Sequence, residues 1–518
     1  MNIQLALTQI EKVSKSQLSW ATFMIFIAAL LRFSLLSNQS LWIDEGLSLI
    51  RTDASSLRGV IEILDATPYD KYQPIYFILL FFWRQLFGDS IIALRSLSAL
   101  FGTLSVIFTA LTALKIYGKQ YAIWTLGIIS ISAFHVYYSQ EVRAYSLVLF
   151  FAALELYAFC DVLIDQKSKR LRSKLLFWLI IAIACLSSIF LFVFTVSICI
   201  AHLLNQQSFK QWLRYWSPVL LCILPAIFLY STSETLSNID FRVVNWYGTH
   251  ILQNFLFVAY GLLAGTLYLA PPELLRGDNR VEVLLGYWPH LLLLAVVVIT
   301  LLFALTKKLL KKENSLKHDS RKRAALFFAT LIAVSLVFST MFAMVTHINW
   351  VPRHSAFVII PIALLIPSAF CHLTSLERRT LTAKAAFIST VLLLFINLLS
   401  LRNYFFDPMY GRDDYQAAAE YITNGFNAEI PSVLLWGDKR LLRYYGDDKT
   451  LGIDGTQIEA NELSKRLKTL TNDSQEILVA INREFFLDYS IESALSDTYT
   501  LEAKESFSHF DIYRFQQL

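Results

Sequence analysis

The stretch LSWATFMIFIAALLRFSLL at residues 18–36, followed at once by SNQSLWIDEG at 37–46, decides how this chain is read. Its first part is apolar except for Arg32 and about one bilayer long, so it reads as a membrane span. Its second part sets two adjacent carboxylates, Asp44 and Glu45, just past the end of that span. Carboxylates at a membrane surface are costly unless solvated, paired or used. There, a carboxylate reaches a water-soluble substrate and a lipid headgroup together, which suggests interfacial chemistry. The plainer alternative is a hydrated loop pair, with Glu45 capping a helix that begins near Gly46.

Composition agrees with a membrane protein. Of 518 residues 56% are hydrophobic and 16% charged, and mean hydropathy is +0.50. Ordinary soluble domains carry more charge. The net charge of +5 is gathered in short basic loops, which suits the positive-inside rule and not nucleic-acid binding. No small-residue cleavage site follows residues 21–36, so the first span is expected to be retained. Cys160, Cys185, Cys199, Cys222 and Cys371 lie in or beside apolar runs without metal-ligand spacing, and read as small core residues.

The basic loops set the topology. Clusters at 167–174, 307–323 and 378–384, with Lys115 and Lys119, should all be cytoplasmic. That holds if the short run 74–87 and the run 251–270, which contains Gln253, Asn254, Gly261 and Gly265, do not span. It also requires the run 175–204 to turn at Ser187-Ser188. The expected fold is a polytopic α-helical membrane protein of about eleven spans, N-terminus cytoplasmic, in the plasma (inner) membrane. The loops at 37–90, 139–143, 232–286 and 347–353 then share the outer face with the chain beyond Arg402.

Residues 1–402 read as the membrane catalytic domain and 403–518 as a small extracytoplasmic α/β domain. In the latter, helices are expected over 413–426, 440–445 and 458–470, and strands over 432–436, 476–481 and 511–515. Its role is to cap the membrane part or to help hold an acceptor.

Three further outer-face stretches carry chemistry-bearing residues. Tyr137-Tyr138-Ser139-Gln140-Glu141-Val142-Arg143-Ala144-Tyr145 joins two spans. An interfacial aromatic belt explains its tyrosines well and Gln140-Glu141 less well. Lys71-Tyr72-Gln73-Pro74 opens a short apolar run, where Lys71 either snorkels or meets a lipid phosphate. Pro352-Arg353-His354 opens a late span, and an Arg on the outer face suits an anion. Asp240, Arg242 and His250 in the long outer loop are weaker candidates. No G-x-S-x-G, HExxH, Walker or kinase motif occurs.

Trp-x-Asp-Glu after the first span, Gln-Pro-x-Tyr before a short apolar run, Tyr-Ser-Gln-Glu-x-Arg-x-Tyr and Pro-Arg-His together resemble the GT-C glycosyltransferases. The branch is family 39, the bacterial relatives of protein O-mannosyltransferases and lipid A aminoarabinose transferase. The resemblance is carried by residues 18 to about 160, and by topology beyond them. It implies a sugar donor on a polyprenyl phosphate, used at the outer face, and a hydroxyl acceptor on a protein, glycolipid or polysaccharide.

By position, Asp44 matches the expected general base and Glu141 the second acidic motif that shapes the site. Lys71 lies near a basic residue that some relatives hold close to the donor phosphate, and Arg353 matches a basic position at a late helix end. Gln73 stands where aminoarabinose transferases have Lys before the proline, which leaves the sugar and the phosphate contact open. The catalytic candidates are therefore Asp44, Glu45 and Glu141. The substrate-binding candidates are Lys71, Tyr72, Gln140, Arg143, Tyr145, Arg353 and His354. The Phe-rich stretch 190–194 would meet the lipid tail if it is not plain packing.

The leaving group is already a phosphate, so no strong acid is required, and no cofactor is called for by the residues. A divalent metal, if one takes part, belongs near Asp44 and Glu141; the His/Cys spacing of a zinc site is absent. A transporter or flippase of lipid-linked saccharides is the competing reading. It would show internal repeats or broken helices with midplane polar sites, and no clear repeat is present.

Overall fold

The computed structural model describes residues 15–67, 72–164, 171–206, 208–231, 251–271, 274, 280–310, 316–346, 350–371, 380–424, 430–453, 458–483 and 490–518. The chain divides into two compact units. One comprises Met1–Leu36, Arg51–Ala270 and Glu282–Arg402, the other Ser37–Ile50, Pro271–Val281 and Asn403–Leu518. The segment that carries the acidic pair thus belongs to the same unit as the polar tail.

The first unit is helical. Among the described residues six helices are long and apolar enough to cross a membrane: Ile91–Ile116, Phe209–Tyr230, Trp288–Leu310, Ser320–Phe342, Pro352–Phe370 and Leu381–Phe406. A seventh span forms if Lys119–Ser130 and Ala133–Ser139, bent by 59°, count as one. The eleven spans expected from the charge pattern require four shorter helices to cross as well: Leu18–Phe33, Tyr145–Cys160, Ser173–Ser187 and Ile189–Asn205. Pro74–Phe87 has 14 residues. At about 1.5 Å per residue it falls well short of a hydrocarbon core of about 30 Å.

Local chemistry places the breaks. Ser188 takes an extended conformation and its side chain accepts from Phe190 N, so one helix ends at Ser187 and the next begins at Ile189. Ile251–Ala264 stops at Gly265, whose φ of +81° favours glycine. A Cβ there would also lie 2.6 Å from Ser400 Oγ. Along Ile91–Ile116 the buried residues Ser98, Gly102, Ser105 and Thr109 form a small-residue stripe. Such a stripe lets neighbouring helices approach closely in a membrane, and Tyr145–Ile164 packs against this helix.

The second unit holds a five-stranded sheet: β1 (Ser432–Trp436), β2 (Leu451–Gly452), β3 (Glu476–Asn482), β4 (Tyr499–Phe507) and β5 (Phe510–Gln517). Its order is β2-β1-β3-β5-β4. β1 runs parallel to β2 and β3, whereas β5 runs antiparallel to β3 and β4. The run EILVAIN of β3 is buried along nearly its whole length, as a central strand requires. The helix Ala460–Leu470 packs Leu463 and Leu467 into a core with Val433, Leu435, Ile477 and Val479. β4, the helix Ile491–Leu495 and the two-residue β2 were not expected from the sequence. β4 is an edge strand carrying Glu502, Lys504 and Glu505, and charge on an edge blunts it against further pairing.

Candidate active site

Asp44 and Glu45 lie in the first turn of the helix Ile43–Arg51, which starts where Gly46 N donates to Trp42 O at 2.9 Å. Successive helical residues point about 100° apart, so the two carboxylates cannot share a face. Asp44 is half-buried. Glu45 is fully buried and forms an ion pair with Arg412, Oε2 lying 3.0 Å from Nη1, with side-chain exposures of 0% and 4%. The Arg412 guanidinium also lies 6.0 Å from the Trp42 ring centroid. Gly46 lets the helix settle on Leu441, since a Cβ would come 2.8 Å from Leu441 Cγ.

Hydrogen bonds fasten the preceding residues to the tail within the same unit. Gln39 Nε2 donates to Tyr404 O at 2.8 Å and Leu41 N to Tyr445 Oη at 2.6 Å. Ser40 Oγ donates to Asp413 O at 2.5 Å and accepts from Tyr415 N at 3.1 Å. Asp413 Oδ2 in turn accepts from Asn482 Nδ2 at 3.1 Å, at the end of β3. Burial pushes the Tyr415 phenol well above its ordinary pKa, and its neutral oxygen accepts from Asp438 N at 3.0 Å.

The remaining candidates lie in the helical unit. Glu141 is fully buried and Arg143 half-buried, with Arg143 N donating to Glu141 O at 2.7 Å. The Arg143 guanidinium lies 5.9 Å from the centroid of the Phe77 ring. Tyr145 packs edge-on against Tyr138 at 5.2 Å. The Tyr138 phenol is within electrostatic reach of both Glu141 and Arg353.

Arg353 and His354 are half-buried in a 3-10 turn, Pro352–Val358, braced by Trp350 Nε1 donating to Ser355 Oγ at 2.9 Å. His354 stacks on Phe190 at 5.3 Å and 17°. Tyr72 meets Tyr230 at 5.7 Å. Phe192 also reaches Tyr230, while Phe194 is buried against Phe357. The Phe-rich stretch is therefore at least partly packing.

Gln140 does a job that its sequence position did not reveal. Its Nε2 donates to Leu31 O, Arg32 O and Ser34 O at 3.0, 3.2 and 2.9 Å. These are carbonyls at the end of the first span, which no helical N–H satisfies. Arg95 Nη1 takes Leu36 O at 2.6 Å. The Gln140 nitrogen thus caps the end of the first span. Lys71, Asp240, Arg242 and His250 lie outside the described residues. Among the described residues no group of three or more His, Cys, Asp or Glu could hold a metal ion.

Sequence reasoning missed Arg412, whose partner stands hundreds of positions earlier. It noted Arg32 merely as the lone charge in a span.

Comparison with known proteins gives the fold. Residues 71–233 match the family model described as dolichyl-phosphate-mannose-protein mannosyltransferase. ArnT from Cupriavidus metallidurans, solved bound to undecaprenyl phosphate, is similar at a TM-score of 0.55 and 13% identity, over 96% of this chain and 98% of that one. The apo state of the same protein gives a TM-score of 0.56 at the same identity and coverage. A search of curated proteins finds none that matches. This chain is a multi-pass membrane protein with the fold of the GT-C superfamily.

Proposed function

We propose that the chain is a membrane glycosyltransferase that moves a sugar from a polyprenyl-phosphate donor to a hydroxyl acceptor, with Asp44 as general base. The observation that carries this reading is the division within the acidic pair. Glu45 is buried and neutralised by Arg412, whereas Asp44, one residue earlier, stays half-exposed at the start of the helix. The family-model match and the lipid phosphate bound by ArnT support a lipid-linked donor.

The step balances as a single displacement. The acceptor oxygen forms a bond to the anomeric carbon as the bond from that carbon to the phosphate oxygen breaks. The electron pair leaves with the polyprenyl phosphate, the acceptor proton passes to the Asp44 carboxylate, and the anomeric centre inverts. Arg143 and Arg353 stabilise charge on the departing phosphate. Glu141 shapes the site in which they lie.

The bend at residues 130–132 is a feature a transporter would share. Its freed carbonyls, however, accept from Arg32 and are not left for an ion.

Purified protein supplied with a polyprenyl-phosphate sugar and an acceptor should release polyprenyl phosphate. Donor that crosses a vesicle membrane intact, with no release, would instead establish the transporter. The outer-face assignment has its own test. A reporter fused after Leu518 should be active on the extracytoplasmic side, and a cytoplasmic signal would undo the grouping of the outer loops.

A further inference from the structure

Arg32 is fully buried in the first span, and among the described residues its hydrogen-bond partners are carbonyls and an imidazole, with no carboxylate. Its charge is solvated by backbone and by one imidazole. Nη1 donates to Ala28 O at 2.8 Å in its own helix and to Ser130 O at 3.1 Å. Nη2 donates to Ile129 O at 3.1 Å and to His135 Nδ1 at 2.9 Å. Ile129 and Ser130 are the last residues of the helix Lys119–Ser130, where carbonyls lack intrahelical partners and the helix dipole is negative. Arg32 therefore caps one half of the bent helix. Ser132 starts the other half, its side chain accepting from His135 N.

The proton positions of His135 follow from its partners. Arginine has no acceptor, so Nδ1 must be the unprotonated nitrogen. Nε2 then carries the hydrogen and faces Ser105 Oγ at 3.2 Å, and Ser105 Oγ donates to Leu149 O at 3.0 Å. One turn on, Ser139 Oγ donates to His135 O. Ser139 is seated against Gly102, where a Cβ would come 2.1 Å from its Oγ. Gln140 closes the ring by capping the first span, and Glu141 and Arg143 follow directly.

We propose that Arg32 and His135 are positioning residues for the reaction. The imidazole serves as a fixed acceptor that locks the guanidinium across the helix break and so holds Glu141 and Arg143 in working orientation. This inference rests on the glycosyltransferase reading above. It assigns His135 no proton transfer, and that separates it from a catalytic histidine.

The test compares three substitutions by polyprenyl-phosphate release. In His135→Asn the side-chain oxygen stands near the place of Nδ1 and still accepts from Arg32. In His135→Gln the polar group moves one methylene outward, and His135→Leu removes the acceptor. The Asn variant should keep kcat within about 3-fold of wild type with an unchanged pH profile. The Gln and Leu variants should lose about 10-fold or more in kcat, with donor KM within about 2-fold. If Leu does not fold, the contrast between Asn and Gln, both polar, decides.

An Asn variant as slow as Gln, or a shifted pH profile in Asn, would overturn the positioning role in favour of proton transfer. Wild-type rates in Gln or Leu would remove any role. If the wild type itself releases no polyprenyl phosphate, the functional reading fails, which is a different result from either.

Discussion

Asp44→Asn is expected to leave the protein folded and the donor bound while cutting polyprenyl-phosphate release by about 10²–10⁴-fold, the usual contribution of a positioned general base. The amide matches the carboxylate in size and accepts hydrogen bonds, but it does not take a proton from an attacking hydroxyl. Asp44 is half-buried in a first helical turn. A neutral isostere there forgoes some interaction with the helix dipole, worth about 0.3–1 kcal/mol, which is too little to unfold the unit. Such a loss of rate corresponds to about 3–5 kcal/mol of transition-state stabilisation. Stability and rate should therefore separate cleanly. Steady-state release together with donor binding on the same preparation would show it. Equal turnover in wild type and variant would remove Asp44 as the base and move attention to Glu141.

Much of this arrangement is legible in the sequence, and the exceptions have physical reasons. The turn at Ser187-Ser188 could be read because a run of about 30 apolar residues is too long for one span and serine is a good helix cap. β3 could be read because a short, wholly apolar run fits few other places than the middle of a sheet. β4 could not, because TLEAKES has the polarity of a loop and becomes a strand through its partner β5.

The acidic pair shows the same limit within the site. Its position after the first span marked it, but adjacent carboxylates look alike in sequence. What separates them is a helical rotation of about 100° and an arginine brought in by the fold of the tail. Gln140 stands out in the sequence as a polar residue beside a span, yet the partners of its nitrogen are main-chain carbonyls, which leave no trace in the sequence.

Glu45 and Arg412 permit the sharpest separation of chemistry from support. Arg412→Met leaves the Glu45 carboxylate buried without this partner, and breaking a buried pair from one side costs roughly 3–5 kcal/mol. That is a large share of the 5–15 kcal/mol that holds a typical domain. The unit containing Ser37–Ile50 and the tail should then open readily, with rapid proteolysis within 403–518 and loss of turnover, because Asp44 is carried on the same unit. Replacing both partners is a different perturbation. In Glu45→Leu/Arg412→Met an apolar pair fills the space, and such exchanges are often neutral or stabilising. The double variant should regain protease resistance and most of its turnover, since Glu45 acts through the ion pair and not on the substrate. A double variant that is resistant to protease yet still inactive would return Glu45 to the chemistry. A single Arg412→Met variant as stable and active as wild type would show that the ion pair does not hold the acidic helix, and that the hydrogen bonds of Gln39, Ser40 and Leu41 to the tail suffice.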